Sequence, residues 1–240
     1  MGADDDGAVP PWAVVPAVLA PVAMIGGWSV AAALQPAFDP VAETISALAA
    51  TTATAPAVMT AGLALTGAAH VVTALGTRAL PRAGRLLHAL GGVATVAVAA
   101  LPVDRAPQAH GVAAAVAFGA LALWPAAAWR RGTWTGGTDV RPSATTPAVG
   151  ARASATGTAA PRRAVPVPTV ARPAVALSAC GVLLALLAWF VLELQGAGPA
   201  GGAWTGVSER AVAGAQALWP LLIVLSLRAH AARTRPATRC

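Results

Sequence analysis

The sequence predicts an all-α, polytopic bundle of six transmembrane helices, arranged as four and then two, with both termini in the cytoplasm. Three observations carry this expectation. First, 57% of the 240 residues are hydrophobic and only 10% are charged, against about 25% charged in an ordinary soluble domain. Second, the apolar residues fall in six long runs separated by Pro, Gly and charged residues. Third, the basic residues are asymmetric. All 16 are arginine. With six spans, every one except Arg105 and Arg210 falls on the side of the termini. Basic loops stay in the cytoplasm, so that side is read as the inside, and an inner (plasma) membrane is the expected location.

Residues 1–11, with Asp4, Asp5 and Asp6, read as a disordered tail. Residues 12–34 are the first run, long enough at about 1.5 Å per residue to cross about 30 Å of hydrocarbon. Pro16 and Pro21 are expected to kink it. An acidic leader and a long core set this run apart from a cleaved signal peptide, whose leader is basic and whose core is shorter. Residues 39–48 then read as an outer-face helix, with Asp39 at the N-cap and Pro40 at the first helical position. Val41, Ile45 and Leu48 would share one face, and Asp39, Glu43 and Ser46 the other.

The second span is read over 56–75, followed by a basic loop with Arg78, Arg82 and Arg85. The third, 86–101, reaches only about 24 Å and calls for help from flanking residues or local thinning. A short connection with Asp104 and Arg105 leads into the fourth span, 108–129, closed by Arg130 and Arg131. These runs make a four-helix part over 12–131. Residues 132–172 lack apolar periodicity and read as a disordered cytoplasmic linker. A two-helix part, 173–228, holds the fifth span, a Gly-rich loop over 195–208, and a sixth span over 209–227 with Pro220 as a kink. Residues 229–240 form a basic tail.

Small residues recur every four positions at Ala23, Gly27 and Ala31 and at Gly111, Ala115 and Gly119, a spacing that lets helices approach closely in lipid. Trp12, Trp124, Trp129 and Trp204 fall near the ends of runs, as membrane-interface belts do. Trp28, Trp189 and Trp219 read as packing residues. The two cysteines, Cys180 and Cys240, form neither a metal motif nor a disulfide framework, and no metal site is expected. The net charge of +7 sits at run ends rather than on one basic face, which argues against nucleic acid as a partner.

Outside the Asp4 to Asp6 tail and Asp139, the acidic residues Asp39, Glu43, Asp104, Glu193 and Glu209 sort to the outer side, where Asp39, Glu43, Ser46, Asp104 and His110 form the candidate polar cluster. An ionisable group at membrane depth is by default a candidate functional site. In one reading Asp39, Asp104 and His110 bind a metal or activate water, since acid–base chemistry needs a group titrating near neutrality. In the other, Asp39 caps a helix, Asp104 caps the fourth span or pairs with Arg105, and His110 hydrogen-bonds between helices. A lone histidine is few for a metal site, which usually takes three or four protein ligands. His70 and His88 lie in the inner halves of consecutive antiparallel spans. They read either as a proton relay or as interhelical hydrogen bonding, and no intramembrane carboxylate accompanies them. Arg130–Arg131 and Arg162–Arg163 read as topology determinants or as contacts to anionic head groups. No phosphate loop, nucleophile elbow, HExxH or CxxC is present, and no catalytic residue or cofactor is assigned.

Asp39 with Thr44-Ile45-Ser46-Ala47-Leu48, Pro56 and Met59, and Gly67 through His70 resembles the front half of a bacterial membrane family, domain of unknown function 998. Arg85, Pro102, His110, Phe118 and Trp124-Pro125 resemble its next landmarks. The resemblance covers roughly 12–228 outside the linker and implies a six-helix membrane protein without assigned chemistry. Many members carry Glu after the Ile-Ser pair, where this chain has Ala47; Glu43 is the residue placed to stand in. The expected function is that of a ligand-binding, lipid-binding or accessory membrane protein with an outer polar pocket. The alternative is a membrane-embedded hydrolase or transferase acting on an outer-leaflet lipid. The expected partners are the bilayer and a lipid or small-molecule ligand.

Overall fold

The structure is a computed structural model and describes residues 9–129 and 168–234. It is all-helical, with no strand among the described residues. Six helices are long and apolar enough to cross a membrane. They are α1 (Val14–Leu34), α3 (Pro56–Gly76), α4 (Arg82–Ala100), α5 (Pro107–Ala127), α6 (Pro173–Leu194) and α7 (Thr205–Thr234); α2 (Ile45–Leu48) is a single turn in the first loop. The helices form a ring in the order α1, α3, α4, α5, α6, α7, closed by α7 against α1.

Proline opens α3, α5 and α6, where its missing N–H is unneeded and its fixed φ suits the first turn. A short 3₁₀ turn, Pro11–Ala13, leads into α1. Pro16 lies in the first turn of α1, where it costs no hydrogen bond, and the helix continues through Pro21. α7 likewise continues through Pro220. Neither proline ends its helix.

Several expected boundaries are corrected. α4 begins at Arg82 rather than at 86 and spans 19 residues, so it reaches about 28 Å and needs no thinning. Arginine is a good helix former whose long stem lets the charge leave the apolar layer. α7 runs 30 residues, from Thr205 to Thr234, past both expected ends. Glu209 therefore sits inside the helix rather than starting it, and Arg228 belongs to the helix rather than to the basic tail after it. Val9 is buried and its carbonyl accepts Arg228 Nη1 at 3.1 Å. This bond joins the first described residues to the end of α7 at one end of the bundle. Thr169–Ala171 forms a 3₁₀ turn with Ala171 buried, so the end of the expected linker packs on the bundle. The rest of the expected linker, Arg130, Arg131, Arg162, Arg163, the acidic residues Asp4 to Asp6 and Cys240 lie outside the described residues.

The core is divided along the bundle axis. One apolar cluster, including Ala13, Leu80, Trp124 and Val224, lies at the end of the described termini. A second, including Met24, Leu48, Met59 and Ala217, lies at the opposite end, called here the loop end. Trp124 is 1% exposed. It is a core residue stacked on His88, not a member of an interfacial belt.

The small-residue stripes have different fates. In α1, Gly27 meets Gly62 of α3: a Cβ on Gly27 would lie 3.2 Å from Gly62 Cα. In α5, a Cβ on Gly111 or Gly119 would meet nothing within 4 Å. At these two glycines the stripe presses against no neighbouring helix, and Gly111 and Ala115 line a cavity. The closest crossing lies at Gly67 and Gly92, where a Cβ on Gly67 would sit 2.5 Å from the Gly92 carbonyl oxygen.

Candidate functional site

The polar residues of the loop end are organised by the chain between α1 and α3. Asp39 closes its own turn: its Oδ1 accepts the Val41 N–H at 2.8 Å, while Glu43 Oε1 accepts the Asp39 N–H at 2.8 Å. The expected helix over 39–48 is interrupted. A turn covers Pro40–Ala42, and Thr44 then caps α2 by accepting the Ala47 N–H at 3.2 Å. Two side-chain oxygens within six residues, on Asp39 and Thr44, satisfy backbone donors locally and split the segment, so no helix starts at Asp39 and only Thr44 caps one. Ile45 and Leu48 are buried as expected, whereas Val41 is exposed.

α7 fastens this loop. Val207 N–H donates to the Val41 carbonyl at 3.1 Å. Arg210 Nη1 donates to the carbonyls of Pro40 at 3.0 Å and Glu43 at 2.9 Å, with its guanidinium 5.4 Å from the Phe38 ring centroid. Gly206 permits the approach, since a Cβ there would strike the Glu43 and Pro40 carbonyls. Glu209, 4% exposed, accepts the Ile45 N–H on Oε2. On the neighbouring loop, buried Glu193 accepts the Ala200 and Gly202 N–H groups, each at 3.0 Å. Glu193 thus holds the Gly-rich turn, in which Gly196, Gly201 and Gly202 have positive φ.

Asp104 lies apart from these groups. It is exposed and accepts the Thr51 N–H at 3.0 Å and the Thr51 hydroxyl, while Arg105 Nε donates to Thr51 Oγ1 at 3.1 Å. The Thr51 hydroxyl, and then its N–H, hold the Asp104 carboxyl below the usual carboxylate range.

The structure brings Ser46 and His110 together. His110 Nε2 lies 2.9 Å from Ser46 Oγ, and His110 Nδ1 lies 2.7 Å from the Leu101 carbonyl oxygen. A carbonyl only accepts, so Nδ1 carries the proton. Nε2 is then a lone-pair acceptor for the Ser46 hydroxyl. Of the five sequence candidates, Ser46 and His110 are joined side chain to side chain; Asp39 and Glu43 are joined through the Asp39 N–H, and Asp104 joins the Thr51 loop. The arrangement is that of a hydroxyl poised on a base whose other nitrogen is oriented by a third group.

Ser46, His110 and Glu209 also line one cavity of about 390 Å³ between α5 and α6. Its other walls are mostly apolar, with Phe118 from α5 and Leu187, Phe190 and Leu194 from α6. In the sequence Glu209 reads as the start of the sixth span, an outer polar residue outside the five-residue cluster. Its signal was a lone carboxylate beside an apolar run. No group of three or more His, Cys, Asp or Glu able to hold a metal occurs among the described residues.

Residues 18–226 match the family described as Protein of unknown function (DUF998). The chain belongs to this family. The matched region takes in α3, α4, α5 and α6 whole, most of α1 and α7, and every residue of the DUF998 loop-end site described here. No curated protein and no solved structure matches the chain.

Proposed function

We propose that this protein is a plasma-membrane amphiphile-binding protein, with its loop end outside the cell and one lipid-like chain held between α5 and α6. The observation that carries the reading is the apolar cavity of about 390 Å³ with Ser46, His110 and Glu209 in its wall. That volume lies within the range of about 300–1,000 Å³ usual for ligand pockets. The chemistry of the wall suggests the ligand. The Ser46 hydroxyl is committed to His110, so what it offers a guest is lone pairs. Glu209 likewise offers carboxyl oxygen. An acceptor-rich wall favours a guest whose polar neck donates, such as a hydroxyl or amine, over a bare phosphate.

Native mass spectrometry of the detergent-purified protein tests this. A retained lipid is expected on the wild type, and Ala115→Trp, which fills the cavity, should lower its occupancy about tenfold. Equal retention by both proteins would refute the pocket. The placement of the loop end rests on the arginine distribution. A periplasmic reporter fused after residue 50 should be active and one fused after residue 150 silent; the reverse pattern overturns the orientation.

A second reading is favoured by one specific contact, the Ser46–His110 hydrogen bond. In it, Ser46 takes an acyl group from a bound ester while His110 receives the hydroxyl proton and returns it to the leaving alcohol; water then releases the acid.

A further inference from the structure

Deeper than the α5–α6 cavity lies a second, smaller one of about 50 Å³, room for on the order of three waters. Its wall is apolar except for Ser46, His70, Thr95, Glu209 and Gln216. The polar groups are spread along the bundle axis. Glu209 is about 6 Å from the start of α7 at Thr205, Gln216 about 10 Å deeper, and His70 about 21 Å from the start of α3 at Pro56. Gln216 Nε2 donates to the Phe118 carbonyl at 2.9 Å, which leaves its Oε1 as an acceptor. Thr95 Oγ1 donates to the Gly91 carbonyl at 2.8 Å and keeps its lone pairs.

At the deep end, His70 Nδ1 lies 3.0 Å from His88 Nε2, and both residues are 1% exposed. With Nδ1 committed to His88, His70 has Nε2 left for the cavity. The His88 ring in turn stacks on the Trp124 indole, with centroids 4.5 Å apart and an interplanar angle of 11°. An aromatic face is a favourable seat for a cation. Thr73 Oγ1 and Trp124 Nε1, both at this level, are buried without a protein partner, and native buried polar groups are nearly always partnered.

We propose that this cavity is a proton relay: a short file of water carries a proton between the Glu209 carboxyl and His70, which passes one on to His88. In the inward step the proton binds His70 Nε2, and His70 releases its Nδ1 proton to His88 Nε2. Glu209 becomes a carboxylate, and His88 becomes an imidazolium seated on Trp124. The carboxylate that a histidine relay needs is supplied by α7, far from the histidines in sequence.

Few other titratable groups surround this path. α1 has none, α3 has only His70, and α5 has only His110. α4 adds Arg82 and Arg85 toward the far end, and α6 adds Cys180 and the loop-bound Glu193. On α7, Arg210 is turned to the loop carbonyls, while Arg228, His230 and Arg233 lie at the opposite end. The relay is independent of which ligand occupies the α5–α6 cavity.

The stacked indole is a built-in reporter, because an imidazolium against an indole quenches its emission. The full-length protein in nanodiscs is subjected to a pH jump, and the Trp124 signal is taken as wild type minus Trp124→Phe. A drop in emission is expected on acidification between pH 8 and pH 4, abolished in His88→Gln. Glu209→Gln and His70→Gln should each slow it at least tenfold. Gln216→Leu, which narrows the cavity without removing a titratable group, should slow it too and serves if either charged-site variant misfolds. No emission step in the wild type overturns the relay. So does an unchanged rate in Glu209→Gln together with Gln216→Leu, since His88 would then be reached by another route.

Discussion

Valine at position 67 is expected to separate α3 from α4 and to lower the stability of the bundle by about 1–3 kcal/mol or more, as overpacking does. A Cβ on Gly67 would lie 2.5 Å from the Gly92 carbonyl oxygen and 2.8 Å from Val96 N. The reciprocal Cβ on Gly92 would lie 2.6 Å from the Gly67 carbonyl oxygen and 2.9 Å from His70 Cβ. These obstacles include backbone on both sides, so rotamer changes cannot relieve them; the helices must move. In lipid, little hydrophobic drive holds helices together, and close packing carries more of the load. The His70–His88 bond at 3.0 Å spans the same crossing and should be lost with it. Gly119→Ala is the matched control. Nothing lies within 4 Å of its added carbon, and alanine favours helix over glycine by about 1 kcal/mol. An SDS unfolding titration reads both variants. A Gly67→Val protein as stable as wild type would show that the α3–α4 crossing is not closed at this point.

The second large effect is chemical. If Ser46 is activated by His110, a fluorophosphonate probe should label the purified protein on Ser46, with fluoride leaving phosphorus and His110 taking the hydroxyl proton. Ser46→Ala should remove labelling altogether. His110→Gln should slow it by about 10²–10⁴-fold, the usual contribution of a positioned general base. Asp39→Asn and Asp104→Asn should leave the rate within about threefold. Neither side chain bonds to the pair: Asp39 closes its own turn and Asp104 holds Thr51. Absence of labelling in a protein that still retains lipid would remove the acyl-transfer reading and leave the binding reading standing. Loss of both would remove the pocket itself.

How far the sequence reached can be judged at particular residues. The six long apolar helices were legible because lipid solvent demands uninterrupted hydrogen-bonded helices about 20 residues long, and proline marks three of their starts. The ends were less legible. Arg82 and Arg85 read as loop because they are charged, yet a flexible stem lets such a residue occupy a terminal helical turn. Asp39 reads as the cap of a helix over 39–48, but it closes only a local turn; the helix begins at Ile45 and Thr44 caps it. Trp124 read as an interfacial belt residue; its burial against His88 depends on α4, which no local pattern in α5 reports. The Gly111, Ala115 and Gly119 stripe read as a packing face, although small residues serve equally well to leave room for a cavity.

By itself, the sequence settled that this chain is an all-helical membrane protein of six spans, because hydropathy and helix length are sums over neighbouring residues. It also named Ser46 and His110 as candidates, because polar groups are rare in so apolar a chain. Their pairing, the separation of Asp104 from them, and the meeting of Glu209 with Ile45 join residues dozens to more than a hundred positions apart. So does the common wall that Glu209 shares with His70. These were decided only by the packing of the helices and their loops, with α7 closing the ring to bring in Glu209, since side-chain chemistry depends on distances of about 3 Å that no spacing along one helix can specify.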